Sequence, residues 1–138
     1  MKAILISLLF LASLSSRAQR IDLYSRHAPD DWQNVSVEKI ADDSLSTTFL
    51  IWVRGGVKKH FHQTHTEHVT VMEGTGEMTL GDSTFIVKPG DFLLIPKGTP
   101  HAVTATSPMK VLSIQTPRWT SDDRFFLPVI RRETDSNK

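Results

Sequence analysis

Two stretches of this chain concentrate the side chains that hold metal ions. In the first, His60-Phe61-His62 is followed after four residues by Glu67; the second runs from Gly90 to His101. Three imidazoles and a carboxylate are donors that first-row divalent ions favour. The chain has no cysteine, so a thiolate site and a cysteine nucleophile are both excluded. Five of the six histidines fall between His60 and His101. We read His60, His62, Glu67 and His101 as the ligands of one mononuclear metal centre. His60 and His62 are two apart, so on a strand both side chains point to the same face. Glu67 shares a face with Val69 and Val71, which marks that face as interior. A carboxylate there needs a cation or hydrogen-bond donors, because burying an unpaired charge is costly. His101 shares its face with Val103 and Ala105. His65 and His68 are read as surface residues, and His27 lies in a polar lead-in where it has no role.

The elements that must position these residues are short strands. Segments 35–40, 45–54, 59–62, 67–73, 77–80, 84–88, 92–95, 101–106 and 109–116 are rich in residues that suit a pleated surface. Between them stand turn residues: Gly55-Gly56, Gly74 to Gly76, Gly81-Asp82-Ser83, Pro89-Gly90-Asp91 and Pro96 to Pro100. Short strands at this spacing predict an all-β sandwich or barrel. Gly74, Gly90 and Gly98 are placed to take positive φ at tight corners, and Pro96 and Pro100 stiffen the turn that aims His101. The expected lining is Val69, Val71, Met78, Leu80, Val87, Val103, Leu112 and Ile114. Trp52 is expected to pack on the barrel. Residues 118–127, with Trp119, Phe125 and Phe126, are expected to cover the barrel mouth or a partner subunit.

The two stretches resemble the paired motifs of the cupin superfamily. The first motif is a glycine, HxH, three or four residues, Glu, six residues and Gly. Gly55 or Gly56, His60, His62, Glu67 and Gly74 match it, with the leading glycine one or two places nearer His60 than usual. The second is a glycine, five residues, Pro-x-Gly, two residues and His; Gly90, Pro96, Gly98 and His101 match all of it. The Asn often found four places beyond that His is Ala105 here. The stretch between the motifs, 75–89, has the 15 residues typical of compact single-domain members.

The resemblance implies a double-stranded β-helix, or jelly-roll, cupin barrel over 35–117, between an arm at 19–34 and a tail at 118–138. It implies a divalent ion, with iron, manganese and zinc as the candidates, and positions left open for water, dioxygen or a chelating ligand. It implies a homodimer paired through the sheets. A largely apolar pocket suits a dioxygenase-like metalloenzyme acting on a small oxygen-bearing organic molecule. It also suits a non-catalytic module that binds a small molecule or metal. A sugar isomerase or epimerase would need more polar side chains facing the pocket than this chain supplies. The fold hosts all three, so the fold alone does not choose.

Residues 1–18 read as a cleavable signal peptide: Lys2, an apolar run from Ile4 to Leu14, then Ser16 and Ala18 at the −3 and −1 positions of a cut before Gln19. The run is well short of the ~20 residues that span a bilayer. The expected location is therefore the periplasm or the medium, with no membrane attachment after cleavage. The full chain carries 16 basic and 15 acidic residues; loss of Lys2 and Arg17 leaves 14 and 15, a net −1. That balance gives no surface for nucleic acid.

Overall fold

The structure, a computed structural model, describes residues 18–127. The expected signal peptide up to residue 17 and the end of the tail lie outside these residues. Ten strands run in the order β1 (Val35–Asp42), β2 (Thr47–Val53), β3 (Gly56–Phe61), β4 (Thr66–Glu73), β5 (Gly76–Leu80), β6 (Ser83–Val87), β7 (Phe92–Ile95), β8 (His101–Ala105), β9 (Met109–Thr116) and β10 (Phe125–Phe126). They form two five-stranded antiparallel sheets, ordered β1-β2-β9-β4-β7 and β10-β3-β8-β5-β6. This is the all-β, double-stranded β-helix architecture expected from the strand pattern and the motifs. No helix among the described residues is long and apolar enough to cross a membrane.

The core lies between the sheets, where Val53, Val71, Met78, Val87, Leu93, Ile95, Met109 and Val111 form one buried cluster. Alternation along each strand sends these residues inward. One inner face departs from expectation. Leu112 and Ile114, expected in the lining, are paired with Leu50 and Thr48 on the outer face of β9. The residues turned inward are Met109, Val111, Ser113 and Gln115, all buried. Both faces of β9 carry apolar residues, so its polarity pattern did not reveal which one faces the core. Leu80, also expected in the lining, packs against the core cluster but does not line the cavity.

Turns and a bulge aim the strands. Gly74 has φ +75°, and a Cβ there would lie 2.0 Å from the Pro108 carbonyl oxygen, so no other residue fits. Gly98, at φ +80°, donates its N–H to the His62 carbonyl at 2.6 Å, tying the second motif to the first. Along β3, Val57 faces Val103 but His60 faces His101, so one extra residue bulges out between them. A bulge re-aims the side chain that follows it, and here that side chain is His60. Asn34, ahead of β1, accepts from the N–H groups of Gly55 and Gly56 and donates to the Gly56 carbonyl. The arm also covers Lys110, a fully buried ammonium that donates to the Tyr24 carbonyl and to Glu73. Residues 118–127 return to the barrel: Arg118 pairs bidentately with Asp42, Trp119 packs edge-on to Phe49, and Phe125 and Phe126 pair with Phe61 and His60.

Candidate metal centre

His60 comes from the end of β3, His62 from the first position beyond it, Glu67 from β4 and His101 from the first position of β8. All four are buried. One ring nitrogen from each of His60, His62 and His101 lies within 4.8 Å of the others. Glu67 Oε2 stands 3.5 Å from His62 Nε2 and 3.3 Å from His101 Nε2. The four residues singled out in the sequence are therefore together at one point inside the barrel.

Their outer hydrogen bonds determine what they offer at that point. His60 Nδ1 lies 2.8 Å from the Lys58 carbonyl, His62 Nδ1 2.5 Å from the Asp123 carbonyl and His101 Nδ1 3.0 Å from the Thr99 carbonyl. A carbonyl only accepts, so each Nδ1 carries the hydrogen and each neutral ring turns an Nε2 lone pair inward. None of these Nε2 atoms has a hydrogen-bond partner among the described residues. Glu67 Oε1 accepts from Ser113 Oγ at 2.5 Å and Gln115 Nε2 at 3.4 Å, which leaves Oε2 facing the imidazoles. Three lone pairs and a carboxylate oxygen thus meet with no donor among them. That arrangement requires a cation or extra protons, and it matches the pattern of metal-bound histidines whose other nitrogen is held by a carbonyl.

The electrostatics agree. Burial, then His101, holds His60 down to about 4, with the Arg124 charge adding to the effect. Burial alone would depress His62 too, but Glu67 and the Asp123 carbonyl outweigh it and raise it. Burial would raise Glu67, yet His101, His62 and Ser113 hold it well below the usual carboxylate range. The carboxylate is therefore ionised, as a ligand must be.

His65 corrects the sequence reading. It is 0% exposed, with its ring 4.1 Å from that of His62. It sits just ahead of β4 and has the same parity as Glu67, so the alternation of β4, extended one step, turns it inward. Its Nδ1 is 2.7 Å from Asp123 Oδ2, in a contact that lacks hydrogen-bond alignment. Burial, then His62, holds His65 down, so it stays neutral. His68 lies on the outer face of β4, stacked on Phe92, and His27 is exposed.

Asp123 is the residue the sequence did not reveal. Its Oδ1 accepts from the Gln63 N–H at 2.7 Å, and its Oδ2 from the Thr64 N–H at 3.1 Å, the Thr64 hydroxyl at 2.5 Å and the His65 N–H at 3.3 Å. Burial would raise its carboxyl, but the Thr64 hydroxyl and these N–H groups bring it down to about 2. His62, His65 and Asp123 form a second group of buried potential ligands. The His62 Nδ1 and the Asp123 oxygens are already committed to hydrogen bonds, so this group clamps the turn between β3 and β4. No local pattern marks Asp123, which lies in a polar stretch 56 residues beyond Glu67.

Beside these four residues the barrel encloses a cavity of about 280 Å³. Val69, Val71, Met78, Val87 and Val103 line it as expected, joined by Leu93, Ile95, Met109 and Val111. Arg124 and Phe126 from the returning segment line it too, as does Lys58.

The chain is thus a jelly-roll barrel in which three histidines and a glutamate that could hold a metal ion converge from the wall. The family described as Cupin domain matches residues 48–115. A cupin-2 domain containing protein from Shewanella frigidimarina is 30% identical, the match covering 61% of this chain and 82% of that one, with a TM-score of 0.55. An RmlC-like cupin protein from Desulfovibrio desulfuricans is 25% identical over 75% of this chain and 100% of that one, with a TM-score of 0.66. L-ectoine synthase from Saccharophagus degradans is 28% identical over 71% of this chain and 76% of its own length. The chain belongs to the cupin superfamily.

Proposed function

We propose that the protein is an exported, metal-dependent enzyme of the dioxygenase-like kind, acting on a small oxygen-bearing organic molecule. Its centre is His60, His62, Glu67 and His101, and its ion is iron, manganese or zinc. One observation carries the reading: three buried Nε2 lone pairs and a carboxylate oxygen meet with no donor between them. When bound, a divalent ion there would polarise a substrate oxygen or activate an oxidant. The chain's own residues do the rest. Ser113 and Gln115 hold Glu67 in place, and the Lys58, Asp123 and Thr99 carbonyls fix the three imidazole tautomers. The valine and methionine walls exclude water from the body of the ligand. Likeness to a relative named as a synthase supports catalysis.

One observation favours a non-catalytic binding module instead: among the described residues, the cavity wall offers no carboxylate or imidazole outside the ligand set. The deciding experiment is metal analysis of protein purified without added metal, followed by oxygen uptake with small chelating acids and alcohols. Near-stoichiometric iron or manganese with substrate-dependent oxygen uptake supports the enzyme. Bound metal without turnover supports the binding module. A folded protein that also refuses iron, manganese and zinc in titration overturns the site itself.

A further inference from the structure

We propose that the ligand of this cavity is a small carboxylate with an apolar body, and that Arg124 is the residue that recognises its charge. The inference rests on the metal reading above. Three charged side chains outside the histidines line the cavity: Glu67, Lys58 and Arg124. Glu67 is already committed, with one oxygen taken by Ser113 and Gln115 and the other facing His62 and His101. Neither Lys58 nor Arg124 forms an ion pair among the described residues. With a divalent ion on the four ligands, the lining carries a clear excess of positive charge, and such a cleft concentrates anions.

Arg124 is exposed, but its backbone is fixed on both sides. Asp123 before it is pinned to the turn that follows His62, and Phe125 and Phe126 after it pair with Phe61 and His60. The Arg124 side chain therefore springs from a fixed point of the returning segment, and it lines the cavity. Its planar fork matches a planar carboxylate in a bidentate way. A phosphate would bring further oxygens that Val69, Val71, Met78 and Val103 leave unpaired, which is costly in an apolar wall. A cavity of about 280 Å³ lies at the small end for organic ligands, so the apolar body is short.

The test uses the full chain loaded with zinc, a redox-inert ion, and calorimetric titration with branched and straight monocarboxylates of three to six carbons. Isovalerate is the lead probe, and each acid is matched with its neutral amide. At least one acid should bind wild type about tenfold or more tightly than its amide. Arg124→Gln should remove most of that preference without weakening amide or zinc binding, and Lys58→Gln should reduce it less. Acids that bind Arg124→Gln as tightly as wild type, amides that bind as well as acids, or no acid binding at all would each overturn the proposal while leaving the zinc site intact. Failure of wild type to bind zinc is read in the loading step, and it would sink the metal reading and this inference together.

Discussion

Two buried carboxylates flank His62, and they do opposite jobs. Glu67 has one oxygen filled by donors and turns the other toward imidazole lone pairs. Asp123 has both oxygens filled by backbone N–H groups and a hydroxyl. Both are carboxylates and both are buried, yet the first is left wanting a cation and the second is satisfied. A buried carboxylate is a candidate ligand when its donors run out before its lone pairs do.

The contrast breaks most visibly at Glu67. Glu67→Gln should weaken zinc or manganese binding by more than a hundredfold, beyond the 10–100-fold that outer partners contribute. The same change should leave the metal-free protein at least as heat-stable as wild type, because an amide supplies a donor where only acceptors meet. Full metal content in Glu67→Gln would show that the ligand assignment is wrong.

Asp123 should behave the other way. Asp123→Ala orphans several backbone donors and should cost about 3 kcal/mol in denaturant unfolding of the metal-free protein. It should also weaken metal binding about 10–100-fold by releasing His62. The pH dependence gives a sharper version. The Asp123 carboxyl is held down to about 2, against about 3.9 in an unfolded chain. A depressed carboxyl contributes stability above its unfolded value and loses it as pH falls through its folded one. The stability gap between wild type and Asp123→Asn should therefore be constant near neutrality and shrink between about pH 4 and pH 2. A gap that does not change over that interval would remove the carboxylate from the clamp.

The smallest effect is expected at Ser113, whose hydroxyl hydrogen-bonds to Glu67 Oε1 and lies 3.5 Å from Gln115 Nε2. Ser113→Ala should cost about 1 kcal/mol of stability and weaken metal binding roughly tenfold. An effect as large as that of Glu67→Gln would mean that Ser113 itself holds the ion.

Much of the site was legible because its information is local. The two-residue step from His60 to His62 sets a shared face, and glycines at positions 74 and 98 mark where φ turns positive. Proline-bracketed turns show where His101 must start a strand. The misreadings share one cause. On β9 the inward residues include Ser113 and Gln115, whose polarity is explained only by Glu67 on the neighbouring strand, with Glu67 opposite Gln115. His65 lies in a polar stretch of the sequence that gives no sign of burial, whereas Asp123 and the His62 ring enclose it in space.

By itself the sequence determined nine of the ten strands, the tight corners and the four side chains that meet inside the barrel, since each follows from spacing along its own stretch of backbone. Only the tertiary structure decided which face of β9 looks inward, that Asp123 closes the turn after His62, and that Arg124 stands over the cavity. Those depend on which distant segments pair, and the free energy of pairing comes from partners that no local pattern names.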